Sequence, residues 1–114
     1  MDHRIMRVME LMEANIHRRV AIGELSQAVN LSPWRLCHLF KTEIGTPPLK
    51  YLKALRMERA KMLVSSTFLS IKQVMNTVGI NDESHFVKDF RSAYGLTPGQ
   101  YRIQFFSRKI RNNR

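Results

Sequence analysis

One stretch of this chain occurs twice. Residues 31–52, LSPWRLCHLFKTEIGTPPLKYL, fall on residues 81–102, NDESHFVKDFRSAYGLTPGQYR, when slid by fifty positions. Phe40, Gly45, Pro48 and Tyr51 then meet Phe90, Gly95, Pro98 and Tyr101, while Lys41 and Thr42 meet Arg91 and Ser92. Upstream the offset drops to forty-nine: Ile22, Leu25, Val29 and Leu31 meet Ile71, Val74, Val78 and Ile80. The second copy therefore carries one extra residue in its turn. The matched positions are core-type residues and helix punctuation, which is what a repeated supersecondary unit keeps. At 114 residues the chain is one compact domain, or two very small ones sharing a core.

Helical spacing dominates. Ile5, Val8, Met9, Met12 and Ile16 form one apolar stripe, predicting a helix from Asp2 to His17. Ile22, Leu25, Ala28 and Val29 predict a second, short helix ending at Asn30, a residue that tolerates the left-handed backbone of a sharp turn. Ser32-Pro33 reads as an N-cap followed by proline in the first helical position. The third helix then turns Leu36, Leu39, Phe40 and Ile44 inward and closes at Gly45. Thr46-Pro47-Pro48 opens a fourth helix running to about Ser65, apolar on more than one side through Leu49, Leu52, Leu55, Ala60, Leu63 and Val64.

The pattern returns with Ser70 capping a short helix that carries Ile71, Val74 and Val78 and stops at Gly79. Asn81 and Asp82 open the next, with Phe86, Phe90, Ala93 and Tyr94 inward and Gly95 at its end, and Thr97-Pro98 starts a last helix through Phe105. The expected fold is all-α and homeodomain-like, with about seven helices. Its parts are a first helix-turn-helix subdomain over residues 1–46, a linker helix over 47–66, a second subdomain over 67–107, and a frayed basic tail over 108–114.

Charge points to the partner. Nineteen Lys and Arg against nine Asp and Glu give a net charge of +10, the signature of a domain that displaces counterions from a polyanion. A hydrophobic content of 44% argues against disorder. The single cysteine, Cys37, excludes an internal disulfide and a CxxC-type zinc site. No secretory signal opens the sequence and no apolar run approaches the roughly 20 residues that cross a bilayer, so a soluble, cytoplasmic protein is expected. Paired carboxylates, a Gly-rich phosphate loop and a nucleophile–base pair are all missing, so neither an enzyme nor a cofactor or metal is expected. The competing readings are a non-specific basic RNA-binding or architectural protein and a protein-interaction module.

Each copy has the order short helix, tight turn, longer helix, which is that of a helix-turn-helix. A helix over residues 47–65 would be about 28 Å long at about 1.5 Å per residue. Successive major-groove faces recur about every 34–36 Å along a duplex. Two reading helices carried by one chain could thus be spaced as the two halves of a dimer usually are.

The segments SPWRLCHLFKTEIGTPPLKYL, ALRMERAKMLV and HFVKDFRSAYGLTPGQYR resemble the AraC/XylS-type DNA-binding domain, over nearly the whole chain from Arg4 to about Phe105. Ser26 and Met75 depart from its pattern where a small alanine is commoner, and Ile80 stands where phenylalanine is usual. The resemblance implies a bacterial transcription regulator that binds double-stranded DNA, more often activating through RNA polymerase than repressing. It also implies a separate effector-binding or dimerisation domain, so that the chain is either a complete small regulator or a C-terminal fragment.

With Leu36, Leu39 and Phe40 inward, the outward face of the first reading helix is Trp34, Cys37, His38 and Lys41, with Arg35 beside it. Its counterpart presents Ser84, His85, Lys88 and Arg91. These nine are the candidate DNA-binding residues, and the resemblance points to the same positions. Ser84 and His85 can hydrogen-bond base edges, Lys88 can reach guanine, and Trp34 can pack on thymine methyls. Arg35, Lys41 and Arg91 suit phosphates, as do Thr97 and Lys50 near the starts of the helices that follow. Trp34 has a second reading as a core aromatic against the first helix, and Cys37 as a small surface residue without a contact.

Overall fold

The computed structural model describes the backbone of residues 1–112 and the side chains of residues 1–106. Helices account for its regular structure: α1 (His3–Ala14), α2 (Ile22–Ala28), α3 (Pro33–Ile44), α4 (Pro48–Ser66), α5 (Ile71–Thr77), α6 (Glu83–Tyr94) and α7 (Pro98–Asn112). The chain divides into two compact units, Met1–Leu55 and the remainder from Arg56. The division falls inside α4, the helix expected as the linker. Its first part gives Leu52 to the core of the first unit, and its later part gives Met57, Ala60 and Val64 to the core of the second.

The two units are built by the same local rules. In the first, Leu31 N–H donates to Ser26 O at 3.0 Å and Asn30 N–H to Gln27 O at 3.2 Å, with Asn30 left-handed at φ 58°. In the second, Ile80 N–H donates to Met75 O at 2.9 Å and Gly79 N–H to Asn76 O at 3.3 Å, with Gly79 at φ 74°. Paired bonds of this kind around one left-handed residue close a helix and satisfy its last carbonyls. The inserted residue follows at once. Leu31 leads directly into the N-cap Ser32, whereas Asn81 stands between Ile80 and the N-cap Asp82.

Both α3 and α6 are capped at each end. Ser32 Oγ accepts from Arg35 N–H at 3.2 Å, and Asp82 Oδ1 accepts from His85 N–H at 3.0 Å. At the far ends Gly45 and Gly95, both left-handed, donate to Lys41 O and Arg91 O at 2.8 Å. Phe40 and Phe90 are fully buried, and each meets a tyrosine edge-on at a centroid distance of 5.5 Å, Tyr51 and Tyr101 respectively. Pro48 and Pro98 are fully buried as well. The two departures from alanine are accommodated differently. Ser26 is buried and donates its hydroxyl to Gly23 O at 3.1 Å, while Met75 fills its buried site with a flexible thioether.

Several expectations are corrected. α1 ends at Ala14, not His17, because Asn15 turns its amide Nδ2 back onto Leu11 O at 2.8 Å and Arg18 N–H bonds to Asn15 O. Ile16 is buried all the same, so its place in the apolar stripe reflects burial beyond the helix end. Ala28 and Ala93, expected inward, are exposed, and so is Leu49. A methyl group on a helix flank obeys periodicity without forcing burial. α7 continues past Phe105 to Asn112, whereas residues 113–114 of the expected tail and the side chains from 107 onward lie outside the described residues.

Gly79→Ala should destabilise the chain by about 1–2 kcal/mol, the cost of placing a Cβ in the left-handed region. Asn30→Gly should leave stability unchanged or raise it by a few tenths of a kcal/mol. Urea denaturation of both variants checks this, and a large loss in Asn30→Gly would contradict the account of the turn.

Candidate nucleic-acid interface

Burying Leu36 and Phe40 leaves the opposite side of α3 to solvent: Trp34, Arg35, His38 and Lys41 are exposed and Cys37 is half-buried. Trp34 keeps 69% of its surface exposed, so it is not a core aromatic. Its ring stacks on that of His38 one turn later, with centroids 4.5 Å apart and planes inclined by 20°. An exposed Trp stacked on an exposed His forms a flat aromatic ridge on the reading helix. In α6, burial of Phe86 and Phe90 turns Ser84, His85, Lys88 and Arg91 outward, all exposed. His85 Nδ1 lies 3.5 Å from the Asp82 carboxylate, an ion pair only when the imidazole carries a proton.

The repeat reappears as surface shape. Trp34, Cys37, His38, Lys41, Thr42 and Pro47 line a hollow beside α3. Ser84, Val87, Lys88, Arg91, Ser92 and Thr97 line one beside α6, and every one of these residues lies fifty positions beyond its counterpart. The hollows coincide in position and differ in chemistry. The first is walled by rings, a thiol and a proline around Lys41; the second holds three hydroxyls and two cations. Thr97 is half-buried and caps α7 reciprocally with Gln100, donating its N–H to Oε1 at 3.0 Å and accepting from Gln100 N–H at 3.2 Å. Lys50 is exposed in the first turn of α4.

A second hollow adjoins the Trp34–His38 ridge on its other side, lined by Arg35, Leu31, Leu39, Thr42 and a residue that sequence reasoning did not single out, Arg4 of α1. Arg4 is gripped by Asp2: Nε donates to Oδ1 at 3.2 Å and Nη2 to Oδ2 at 2.8 Å. The same carboxylate caps α1 by accepting from Arg4 N–H at 2.8 Å. These bonds, the side-chain one first, hold the Asp2 carboxyl at a pKa of about 2 and push the Arg4 guanidinium upward. No sequence period links residue 4 to the face of α3; their proximity is tertiary.

Among the described residues no cluster of three or more His, Cys, Asp or Glu is placed to hold a metal ion, and no helix is long and apolar enough to cross a membrane. Two helix-turn-helix units, each presenting its second helix to solvent with cations and hydrogen-bonding groups on the outer face, define a DNA-binding domain. The comparisons agree. The family described as "Helix-turn-helix domain" matches residues 25–104. The probable transcriptional regulator LumQ of Photobacterium leiognathi is 31% identical over 96 residues, covering 84% of this chain and 38% of that protein. The arabinose operon regulatory protein of Escherichia coli is 36% identical over 81 residues, covering 71% of this chain and 28% of that one. A crystal structure of a transcriptional regulator from Chromobacterium violaceum, described as AraC-type DNA-binding domain-containing, is 34% identical with a TM-score of 0.82, covering 89% of this chain and 90% of that one. The chain belongs to the AraC/XylS family of helix-turn-helix DNA-binding domains. It spans well under half the length of the two curated relatives.

The Asp2–Arg4 pair predicts an acid response of defined sign. In the unfolded chain Asp2 takes up its proton near its ordinary 3.8; in the folded chain it resists until about 2. Its stabilising effect is complete above the first value and is lost as pH falls toward the second. The thermal midpoint should fall across this window, and Asp2→Asn, which keeps a capping oxygen, should fall less steeply. Parallel acid profiles for the two proteins would refute the assignment.

Proposed function

We propose that this domain reads a specific duplex sequence with both units. α3 acts through Trp34, Arg35, Cys37, His38 and Lys41, and α6 through Ser84, His85, Lys88 and Arg91. The observation that carries this is the registered pair of hollows: the same surface is built twice, on the helix that a helix-turn-helix offers to the major groove. The chemistry of the two faces supports a division of labour. α3 reads by shape and apolar contact through its ridge, and α6 by hydrogen bonds from Ser84, His85 and Lys88 to base edges. Arg35, Lys41 and Arg91, with Lys50 and Thr97, engage phosphates.

The doubling of the unit supports an operator of two short blocks, one for each of α3 and α6. Two relatives are named as regulators, which supports a role in transcription control. Activation through contact with RNA polymerase is the reading favoured over repression. The action is cytoplasmic, and the domain works with a separate effector-binding or dimerisation domain, in line with the greater length of those relatives.

Selection of bound fragments from a random duplex pool across a salt series tests the reading. A motif of two blocks is expected; uniform, salt-sensitive binding without a motif would favour an architectural protein instead. On the selected operator, Lys88→Ala should cost about 1–3 kcal/mol and relax preference at one position. Trp34→Ala should weaken binding mainly where a thymine is preferred. Equal losses on every sequence would count against the ridge as a base reader.

A further inference from the structure

The Trp34–His38 stack is a ridge with a hollow on either side. Both hollows share Trp34, His38 and Thr42; one extends over Cys37, Lys41 and Pro47, the other over Arg35, Leu39, Leu31 and Arg4. A helix seated in a major groove has a phosphodiester strand along each flank. A ridge directed at the base edges therefore turns one hollow toward each strand. Lys41 supplies a cation on one flank; Arg35 and Arg4 supply two on the other.

Arg4 is not a loose surface side chain. Asp2 holds two of the five N–H donors of its guanidinium. Asp2 is itself fixed to the reading helix, because its main-chain N–H lies 3.1 Å from both carboxylate oxygens of Glu43 in the last turn of α3. The fork is thus held relative to α3, with donors beyond the two that Asp2 takes. A planar guanidinium fixed in this way loses little conformational freedom on meeting a phosphate.

We infer that Arg4 is a backbone contact of the DNA interface, gripping a phosphate on the α1 flank of the first reading helix, with Asp2 and Glu43 as its positioning residues. This rests on the proposed reading of α3 in the major groove and adds to it a contact from a helix outside the helix-turn-helix. The competing role is purely internal, with the Arg4–Asp2 pair merely steadying the start of α1.

Arg4→Ala separates the two, because the cap of α1 uses the main-chain N–H of residue 4 and survives the substitution. With the selected operator, Arg4→Ala should bind roughly three- to ten-fold more weakly, to a similar degree on every duplex. The slope of log K against log salt should flatten by about 0.9, the value for one released phosphate contact. Arg4→Lys should retain the slope. A scan of methylphosphonate substitutions along the operator backbone should find one position that weakens the parent chain and leaves Arg4→Ala unaffected. A lowered thermal midpoint with unchanged slope and no such position would overturn the inference in favour of the internal role. Lys41→Ala and Arg91→Ala serve as controls: if they too leave the slope unchanged, it is the reading of α3 and α6 that fails.

Discussion

The backbone between the two helices of each helix-turn-helix turns on a single left-handed residue, and the direction of the second helix follows from it. Asn30 and Gly79 occupy this place, each with a bond from the next residue reaching back to the last turn of the preceding helix. That bond fixes where the chain leaves the short helix. The N-cap two or three residues on then fixes where the next one starts. Only with both set do Leu36 and Phe40, or Phe86 and Phe90, fall on the core side and leave the opposite face to solvent. A right-handed residue at either place would redirect the chain. The extra Asn81 in the second turn is tolerated because it follows the closing bond and does not interrupt it.

Downstream of that turn, the same few contacts recur. Phe40 with Tyr51 and Phe90 with Tyr101 pack α3 onto α4 and α6 onto α7, with a buried proline at the start of α4 and of α7. Aromatic edge contacts of this sort have a preferred geometry as well as buried area. What differs between the hollows lies in their exposed and half-buried lining side chains, from Trp34 against Ser84 to Cys37 against Val87. One surface is more aromatic and the other more hydroxylated and cationic on a common frame.

Much of this was legible in the sequence. The offsets of fifty and forty-nine located both turns, the left-handed residues and the N-caps, since each is dictated by local backbone chemistry. The outward faces of α3 and α6 followed from periodicity once the phenylalanines were placed inward. What escaped was tertiary. Trp34 had two readings because a ring at the start of a helix can fold either way; its stack on His38 needs both rings placed in space. Arg4 carried no signal because its neighbours on α3 lie thirty or more positions away. Ala28 and Ala93 misled because alanine satisfies the helical period on either side of the buried boundary, and α1 ended early through a side-chain bond that apolar spacing cannot report.

The registered hollows have one further consequence. No residue of the first is identical to its counterpart in the second, from Trp34 against Ser84 to Pro47 against Thr97. A symmetric dimer reads a palindrome and cannot tell which way along the duplex it faces. Under the proposed reading by both α3 and α6, a single chain with two unlike surfaces has a head and a tail, and a target recognised in one orientation becomes a different target when inverted. Under the proposed role in transcription control such polarity is useful in itself, because a promoter also has a direction.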